Sequence, residues 1–148
     1  MSEMAPQGAS DPVAHDRRAA SDEGRGSVLI VDDDPVIVRL LQVNFRLEGF
    51  SVETASKGDE ALERALADPP DIMLLDVMMP VYDGWEVCRR LRERDETRDV
   101  PVVFLSARAQ DEDRARGYAL GVVEYVTKPF DPASLVEIVR RTLAGRAG

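Results

Sequence analysis

The stretch Val28-Leu29-Ile30-Val31-Asp32-Asp33-Asp34-Pro35 decides the fold, because four apolar residues run directly into three carboxylates and a proline. A continuous apolar run of this length is typical of a strand covered on both faces, as in a parallel sheet. Asp34 followed by Pro35 predicts the N-cap and the first residue of a helix. The stretch therefore indicates a strand, an acidic turn and a helix in succession.

Three further apolar runs end on a polar residue in the same way. Residues 72–75 run into Asp76, residues 102–105 run into Ser106, and residues 125–127 run into Lys128. If these runs are parallel strands of one sheet, their ends meet at the carboxyl edge, where open α/β sheets bind ligands. Clustered carboxylates need a cation, and oxygen ligands beside a phosphoryl group favour Mg²⁺. The sequence thus predicts a magnesium and phosphoryl site at this edge.

Strand and helix patterns alternate five times from Val28 onward, with no internal repeat and no second domain. Strands are predicted at 28–32, 50–55, 71–76, 101–106 and 123–127, and helices at 35–48, 57–68, 84–95, 111–120 and 132–145. The mixed composition of 50–55 favours an edge strand. Right-handed crossovers then predict an α/β fold with a doubly wound, five-stranded parallel sheet and five helices.

Helix faces and helix ends follow from local patterns. The first helix is predicted to turn an apolar face with Ile37, Leu40, Leu41 and Phe45 toward the core, and the last helix does so with Leu135, Ile138, Val139 and Leu143. Asp83 and Glu86 have the spacing of a capping box. Gly49 and Gly121 are predicted to end their helices.

Composition narrows the classes of function. The chain has 148 residues, 44% of them apolar, and a net charge of −9, which argues against a general affinity for nucleic acid. It contains no apolar stretch near the ~20 residues of a membrane span and no secretory signal pattern. The single cysteine, Cys88, permits no internal disulfide. We therefore expect a cytoplasmic protein.

Residues 1–27 are rich in Ala, Ser, Gly, Asp and Pro and are predicted to be a disordered tail, which contains the only histidine, His15. The predicted domain covers 28–146. Because the chain stops soon after the fifth helix, we expect no output domain.

Each polar residue at a strand end also has a simpler interpretation. Asp32, Asp33 and Asp34 could all serve to cap the first helix, although capping needs only Asp34. Asp76 could start a turn, Ser106 could cap a strand end, and Lys128 could point to solvent. These interpretations require four coincidences at one sheet edge. An ionised Asp76 next to Mg²⁺ and Lys128 is instead suited to act as a nucleophile toward phosphorus.

The chain from Val28 to Leu143 resembles the receiver domain of bacterial two-component response regulators, of the stand-alone, chemotaxis-regulator-like kind. The resemblance rests on several motifs in order: residues 29–34 (LIVDDD), residues 74–80 (LLDVMMP), Asp83-Gly84, Ser106-Ala107, Gly121 and residues 125–130 (YVTKPF). It implies a flavodoxin-like fold and a phosphorelay function. Asp76 would become a 4-aspartylphosphate, and the domain would catalyse only its own phosphorylation and dephosphorylation.

The resemblance also implies the metal ligands. Asp33 would bind Mg²⁺ directly, Asp32 would often act through water, and the phosphoacceptor Asp76 and the backbone carbonyl of Met78 would complete the set.

The resemblance further implies a conformational switch. Ser106 would follow the phosphoryl group, Tyr125 would rotate into the space behind it, and Lys128 would pair with the phosphoryl oxygens. The Lys128–Pro129 peptide bond is expected to be cis. Met78 and Arg108 flank the site and would influence how long the phosphoryl group survives.

The implied partners are a sensor histidine kinase or phosphotransfer protein and a downstream effector protein, without direct contact to nucleic acid or insertion into a membrane. The effector would bind the face made by the fourth helix, the fifth strand and the fifth helix, with candidate members Tyr118, Glu124 and Arg140.

Two other functions compete. Asp32-Asp33-Asp34 contains the Asp-x-Asp pattern of haloacid-dehalogenase-like phosphatases, but that family needs its nucleophile on the first strand and a further acidic pair after the lysine. A structural adaptor that never accepts phosphate would not need Asp33, Asp76 and Lys128 together. Phosphate-binding glycine loops of nucleotide-binding proteins are absent from the sequence.

Overall fold

The computed structural model describes residues 25–147, which form one five-stranded parallel sheet with five helices. The strands are β1 (Ser27–Val31), β2 (Ser51–Ala55), β3 (Ile72–Asp76), β4 (Val102–Ser106) and β5 (Glu124–Thr127). The helices are α1 (Pro35–Leu47), α2 (Gly58–Ala67), α3 (Gly84–Arg92), α4 (Asp111–Ala119) and α5 (Pro132–Ala147). The strand order is β2-β1-β3-β4-β5, which confirms the predicted flavodoxin-like sheet.

The three central strands are buried on both faces, because their side chains alternate between two hydrophobic clusters. In β1, Leu29 and Val31 belong to one cluster, while Val28 and Ile30 belong to the other. Strand β2 lies at the edge of the sheet, as its mixed composition predicted. Among residues 25–147, no helix is both long enough and apolar enough to cross a membrane.

Both ends of the described chain lie at the amino edge of the sheet. The first 24 residues of the predicted tail are outside the described residues. Its last three are not a free tail, because the amide of Arg25 donates to the Gly49 carbonyl and Ser27 begins β1. At the other end, the Arg146 guanidinium donates to the carbonyl of Asp71, just before β3, at 3.0 Å.

Helix α1 begins as predicted but buries fewer of its apolar residues. The Asp34 carboxylate accepts a hydrogen bond from the Val36 amide, and Leu41 and Phe45 are fully buried. The inclusion of Leu40 in the core face was wrong, since this residue is 42% exposed. The hydrophobic cluster on this side of the sheet includes Leu41 and Phe45, with Ile37 packed against it, but not Leu40.

Helix α3 ends three residues before the predicted Asp95. The Thr97 hydroxyl donates to the Leu91 carbonyl at 2.7 Å, so it satisfies one of the last carbonyls of the helix and turns the chain. The predicted capping box at its start is half formed. Asp83 accepts from the Glu86 amide, whereas the Glu86 side chain pairs with Arg89 and Arg90.

Arg92, the last residue of α3, links this helix to the amino ends of β4 and β5. Its guanidinium donates to four backbone carbonyls, those of Arg98, Val100, Leu120 and Gly121. Gly121 has the positive φ of 83° that ends α4, as predicted. The Arg92 side chain therefore provides hydrogen-bond donors for carbonyls in two loops, one before β4 and one before β5.

We expect Arg92→Met to lower the free energy of unfolding by about 2 kcal/mol, because several partly buried carbonyls lose a charged donor. Urea unfolding would measure this change. Arg94→Met is the matched control, since Arg94 is more exposed and makes only a 3.8 Å ion pair with Glu96. Its effect should stay within about 0.5 kcal/mol. Equal effects of the two substitutions would contradict the role assigned to Arg92.

Candidate functional site

Three carboxylates converge at the carboxyl edge of the sheet. Asp76 is the last residue of β3, and Asp32 and Asp33 directly follow the neighbouring strand β1. One carboxylate oxygen from each of the three lies within 4.8 Å of the others. Asp32 and Asp76 are buried, with 1% and 3% exposure, while Asp33 is exposed to solvent. The predicted convergence of these residues is confirmed.

Lys128 supplies a cation to this cluster from the end of β5. Its ammonium nitrogen lies 2.9 Å from Asp32 Oδ2 and 3.5 Å from Asp76 Oδ1. The backbone positions the side chain, since the Lys128 amide donates to the Ser106 carbonyl at 2.8 Å. The Lys128–Pro129 peptide bond is cis, as predicted.

The cluster carries more negative than positive charge. Burial raises the pKa of Asp76 to about 6, and the nearby Asp32 adds to the rise, against the opposing effects of Lys128 and the Met78 amide. Burial alone would lower the pKa of Lys128, but the hydrogen bond to Asp32 and the charge of Asp76 outweigh it, so this pKa is raised. One ammonium faces three carboxylates. A hard divalent cation with oxygen ligands would balance them, so the residues fit Mg²⁺.

Asp34 stands apart from the three clustered carboxylates, because it caps α1. The Asp-x-Asp pattern of a haloacid-dehalogenase-like phosphatase would need Asp32 and Asp34 in one site. The observed cluster instead combines Asp32 with Asp33 and Asp76. The geometry therefore does not favour the phosphatase alternative.

The turn after β3 holds Asp76 in place. The Met78 amide donates to Asp76 Oδ1 at 3.2 Å, and the Gly84 amide donates to the Val77 carbonyl at 2.8 Å. A Cβ on Gly84 would lie 2.7 Å from the Asp76 carbonyl oxygen, so the start of α3 approaches β3 this closely only with glycine. The role of the Met78 carbonyl as a metal ligand stays a prediction.

Ser106 ends β4 and is fully buried. Its hydroxyl oxygen accepts a hydrogen bond from the Arg108 amide at 3.0 Å, which leaves the hydroxyl proton available to another acceptor. The serine is thus placed at the carboxyl edge on the strand next to β3. Its contact with a phosphoryl group stays a prediction.

Tyr125 of β5 occupies the inward position. It is 2% exposed, and its hydroxyl donates to the Arg108 carbonyl at 2.8 Å. The ring packs edge-on against Phe104 and lies 6.3 Å from the ring of Trp85. A Cβ on Gly117 would lie 3.0 Å from the Tyr125 ring, so this glycine of α4 makes room for it.

The face formed by α4, β5 and α5 contains only part of the predicted set. Tyr118 is 45% exposed and Glu124 is half-buried. Placing Arg140 on this face was wrong, because its guanidinium pairs with Glu48, just after α1, at 2.8 Å. Arg140 therefore belongs to the contact between α1 and α5.

An ion pair next to the site was not predicted from the sequence. The Arg108 guanidinium lies 3.0 Å from Asp113 Oδ1, and the other carboxylate oxygen of Asp113 accepts from the Gln110 amide. The three-residue spacing of Gln110 and Asp113 could have predicted the hydrogen bond between them, because it is the spacing of a capping box. The partner of Arg108 had no comparable signal.

The chain belongs to the response regulator receiver domain family, whose family model matches residues 28–140. The fold and the acidic cluster agree with this membership. The resemblance inferred from the sequence motifs is thereby confirmed.

Curated relatives and solved structures also support membership of this family. The phosphate regulon transcriptional regulatory protein PhoB of Rhizobium meliloti (strain 1021) is 41% identical over 116 residues, which are 78% of this chain and 51% of that protein. The chemotaxis protein CheY4 of Vibrio cholerae is 32% identical with a TM-score of 0.74, covering 78% of this chain and 96% of that one.

The receiver domain of the sensor histidine kinase PA1611 from Pseudomonas aeruginosa PAO1 is 31% identical with a TM-score of 0.74, covering 80% of this chain and 98% of that one. That structure has a magnesium ion coordinated in its active site cleft. The chain spans about half the length of the curated relative PhoB.

The raised pKa of Asp76 predicts how the stability of the metal-free protein depends on pH. Because the folded-state pKa of Asp76, about 6, exceeds its ordinary value of 3.8, the folded state holds this proton more tightly than the unfolded state. The free energy of unfolding should fall by about 3 kcal/mol as the pH rises through this interval, and should then level off. Urea unfolding in EDTA at several pH values would measure it.

Asp76→Asn should remove this part of the pH dependence, and the variant should be more stable than the wild type above about pH 7. Asp99→Asn is the control, since Asp99 is an exposed carboxylate before β4, at the opposite edge of the sheet. Its pH profile should parallel that of the wild type. Parallel profiles for Asp76→Asn and the wild type would contradict the assignment.

Proposed function

We propose that this chain is the phosphoacceptor receiver of a cytoplasmic two-component system, which takes a phosphoryl group from a histidine kinase onto Asp76. One observation carries the proposal. The buried Asp76 carboxylate lies among two further carboxylates and the Lys128 ammonium at the carboxyl edge of the sheet. Family membership supports the same function.

The chemistry is a transfer between two nucleophiles. A carboxylate oxygen of Asp76 attacks the phosphorus of a phosphohistidine, the new O–P bond forms as the N–P bond breaks, and the bonding electron pair returns to the imidazole nitrogen. The ammonium of Lys128, now 3.5 Å from Asp76, would neutralise an oxygen of the incoming phosphoryl group. The product is an aspartyl phosphate, so the domain consumes one phosphoryl group rather than turning over a substrate.

Asp32, Asp33 and Asp76 would hold Mg²⁺, with the Met78 carbonyl as the backbone ligand. When bound, Mg²⁺ would supply positive charge that offsets the carboxylates and the transferring phosphoryl group. Asp32 already shares Lys128 with Asp76, so it would also fix the position of the ammonium. The magnesium in the cleft of the PA1611 receiver domain supports this choice of metal.

The signal would pass from Ser106 to Tyr125. The free hydroxyl proton of Ser106 would be donated to a phosphoryl oxygen, and an inward Tyr125 would be favoured together with this contact. The surface affected would be the α4–β5–α5 face, where Tyr118 and Glu124 would meet an effector protein. Met78 and Arg108 would influence the lifetime of the aspartyl phosphate.

A stripe of exposed apolar residues on α1 is suited to the phosphoryl donor. Its members are spaced by four, three and four residues, and they are Val36, Leu40, Val43 and Leu47. This spacing forms a seam of the kind that packs against another helix. The stripe starts two residues after Asp34, beside the acidic pocket. We therefore propose that a helix of the histidine kinase lies along α1 while its phosphohistidine reaches Asp76.

The first test is labelling with acetyl phosphate and Mg²⁺, followed by intact-mass measurement. The wild type should gain the mass of one phosphoryl group, and Asp76→Asn should gain none because the attacking oxygen is lost. Asp99→Asn should be labelled like the wild type. Labelling of Asp76→Asn at this site would overturn the assignment, and continuous hydrolysis of a phosphate ester would favour the phosphatase.

The second test concerns the α1 stripe. Phosphotransfer from a panel of autophosphorylated histidine kinases would first identify a fast donor for the wild type. Val43→Asp should then slow transfer from that donor about tenfold or more, because it places a charge in an apolar contact. Labelling by acetyl phosphate should be unchanged.

Val123→Asp is the matched control, since Val43 and Val123 are 42% and 38% exposed but Val123 lies outside α1, directly before β5. It should leave transfer from the kinase near the wild-type rate. Equal slowing by the two substitutions, or none by Val43→Asp, would contradict docking along α1.

A further inference from the structure

The loop between β4 and α4 connects the two residues of the proposed switch through a single residue, Arg108. The Arg108 amide donates to the hydroxyl oxygen of Ser106 at 3.0 Å. The Arg108 carbonyl accepts from the hydroxyl of Tyr125 at 2.8 Å. Since both backbone groups belong to one residue, any shift of Arg108 alters both hydrogen bonds.

Asp113 holds Arg108 in this position. Asp113 Oδ1 lies 3.0 Å from the Arg108 guanidinium, and Asp113 Oδ2 accepts from the Gln110 amide at 3.3 Å. One carboxylate in the first turn of α4 thus binds both the Arg108 side chain, near the start of the loop, and the Gln110 amide, at its end.

Helix capping alone does not explain this arrangement. Asp113 is 5% exposed, and a buried carboxylate is costly unless it is paired. The same turn already carries Asp111 and Glu112, both exposed, which complement the helix dipole without burial. The Gln110 amide needs only one oxygen. The second oxygen of Asp113 pairs with the Arg108 guanidinium, and the carbonyl of Arg108 in turn accepts the hydrogen bond from Tyr125.

We infer that Asp113 is a positioning residue that holds Arg108 in place. The Arg108 carbonyl can then accept the hydrogen bond from the Tyr125 hydroxyl, and this bond favours the inward position of the tyrosine. Without the ion pair, the loop would lose its anchor and Tyr125 would lose its buried acceptor. Arg114, one residue along α4, contacts Tyr125 independently by donating to its carbonyl, so α4 itself stays attached to β5. The expected effect is a loosened tyrosine rather than a detached helix.

A second consequence rests on the proposed function. If the inward Tyr125 and the phosphoryl-bound Ser106 favour each other through Arg108, the coupling must be reciprocal. Weakening the hold on Tyr125 should then weaken binding of a phosphoryl mimic at Asp76, although Asp113 belongs to a different element from Asp76.

The test uses the full chain labelled with 3-fluorotyrosine at its three tyrosines, with the Tyr125 signal assigned by Tyr125→Phe. The readout is the solvent isotope shift of the Tyr125 fluorine resonance between H₂O and D₂O, which reports exposure of the ring. Asp113→Asn keeps an oxygen for the Gln110 amide but removes the charge that pairs with Arg108. Glu112→Gln is the matched control, since it removes an exposed carboxylate from the same turn.

In the wild type and in Glu112→Gln, the Tyr125 resonance should show almost no isotope shift. In Asp113→Asn and Arg108→Gln, the exposed population should rise at least threefold, and the double variant should show no further rise because both act through one ion pair. Arg108→Lys keeps a cation and should restore protection. Full protection of Tyr125 in both Asp113→Asn and Arg108→Gln would overturn the inference.

Beryllofluoride binding in the presence of Mg²⁺ then tests the coupling. The affinity should fall about fivefold or more in Asp113→Asn and stay unchanged in Glu112→Gln. If the wild type does not bind beryllofluoride, the proposed function fails, while the exposure of Tyr125 still decides the positioning role. Equal beryllofluoride affinity in Asp113→Asn and the wild type would overturn the coupling.

Discussion

Repulsion among carboxylates that the fold forces together is the constraint on which the site depends. Two of the three central strands, β1 and β3, end side by side, and their apolar residues are so completely buried that the strand ends cannot separate without exposing the core. Asp32 and Asp76 are therefore held close, and Lys128 offsets only part of their charge. The pocket therefore has an excess of negative charge, which a bound metal ion and an electrophilic phosphorus would each offset.

The same constraint explains why the loops, rather than the strands, would carry the response. The strands are fixed by burial on both faces, whereas the β4–α4 loop depends on a few polar contacts around Arg108. Polar contacts of this strength can exchange partners when the charge of the pocket changes. The Tyr125 side chain lies between this loop and the rings of Phe104 and Trp85, so it would respond to a movement of the loop while the sheet stays fixed.

Much of the fold and the acidic cluster could be predicted, because apolar runs ending in polar residues report directly on parallel strands. Contacts between distant segments could not. Nothing local indicates that Arg140 pairs with Glu48, or that Arg92 reaches carbonyls almost 30 positions further along the chain. Leu40 was misplaced because α1 has more apolar residues than its buried face needs, so periodicity alone could not divide them.

Both ends of the described chain lie at the amino edge of the sheet, where Arg25 pairs with Gly49 and Arg146 with the carbonyl before β3. The acidic pocket lies at the opposite edge, about 16 Å away along a five-residue strand. A surface tether or a fused reporter joined directly to either end of the described residues would thus start on the far side of the domain and leave the pocket open. A structural change at the pocket would affect such an attachment only if it passed through the helices and loops that surround the rigid sheet.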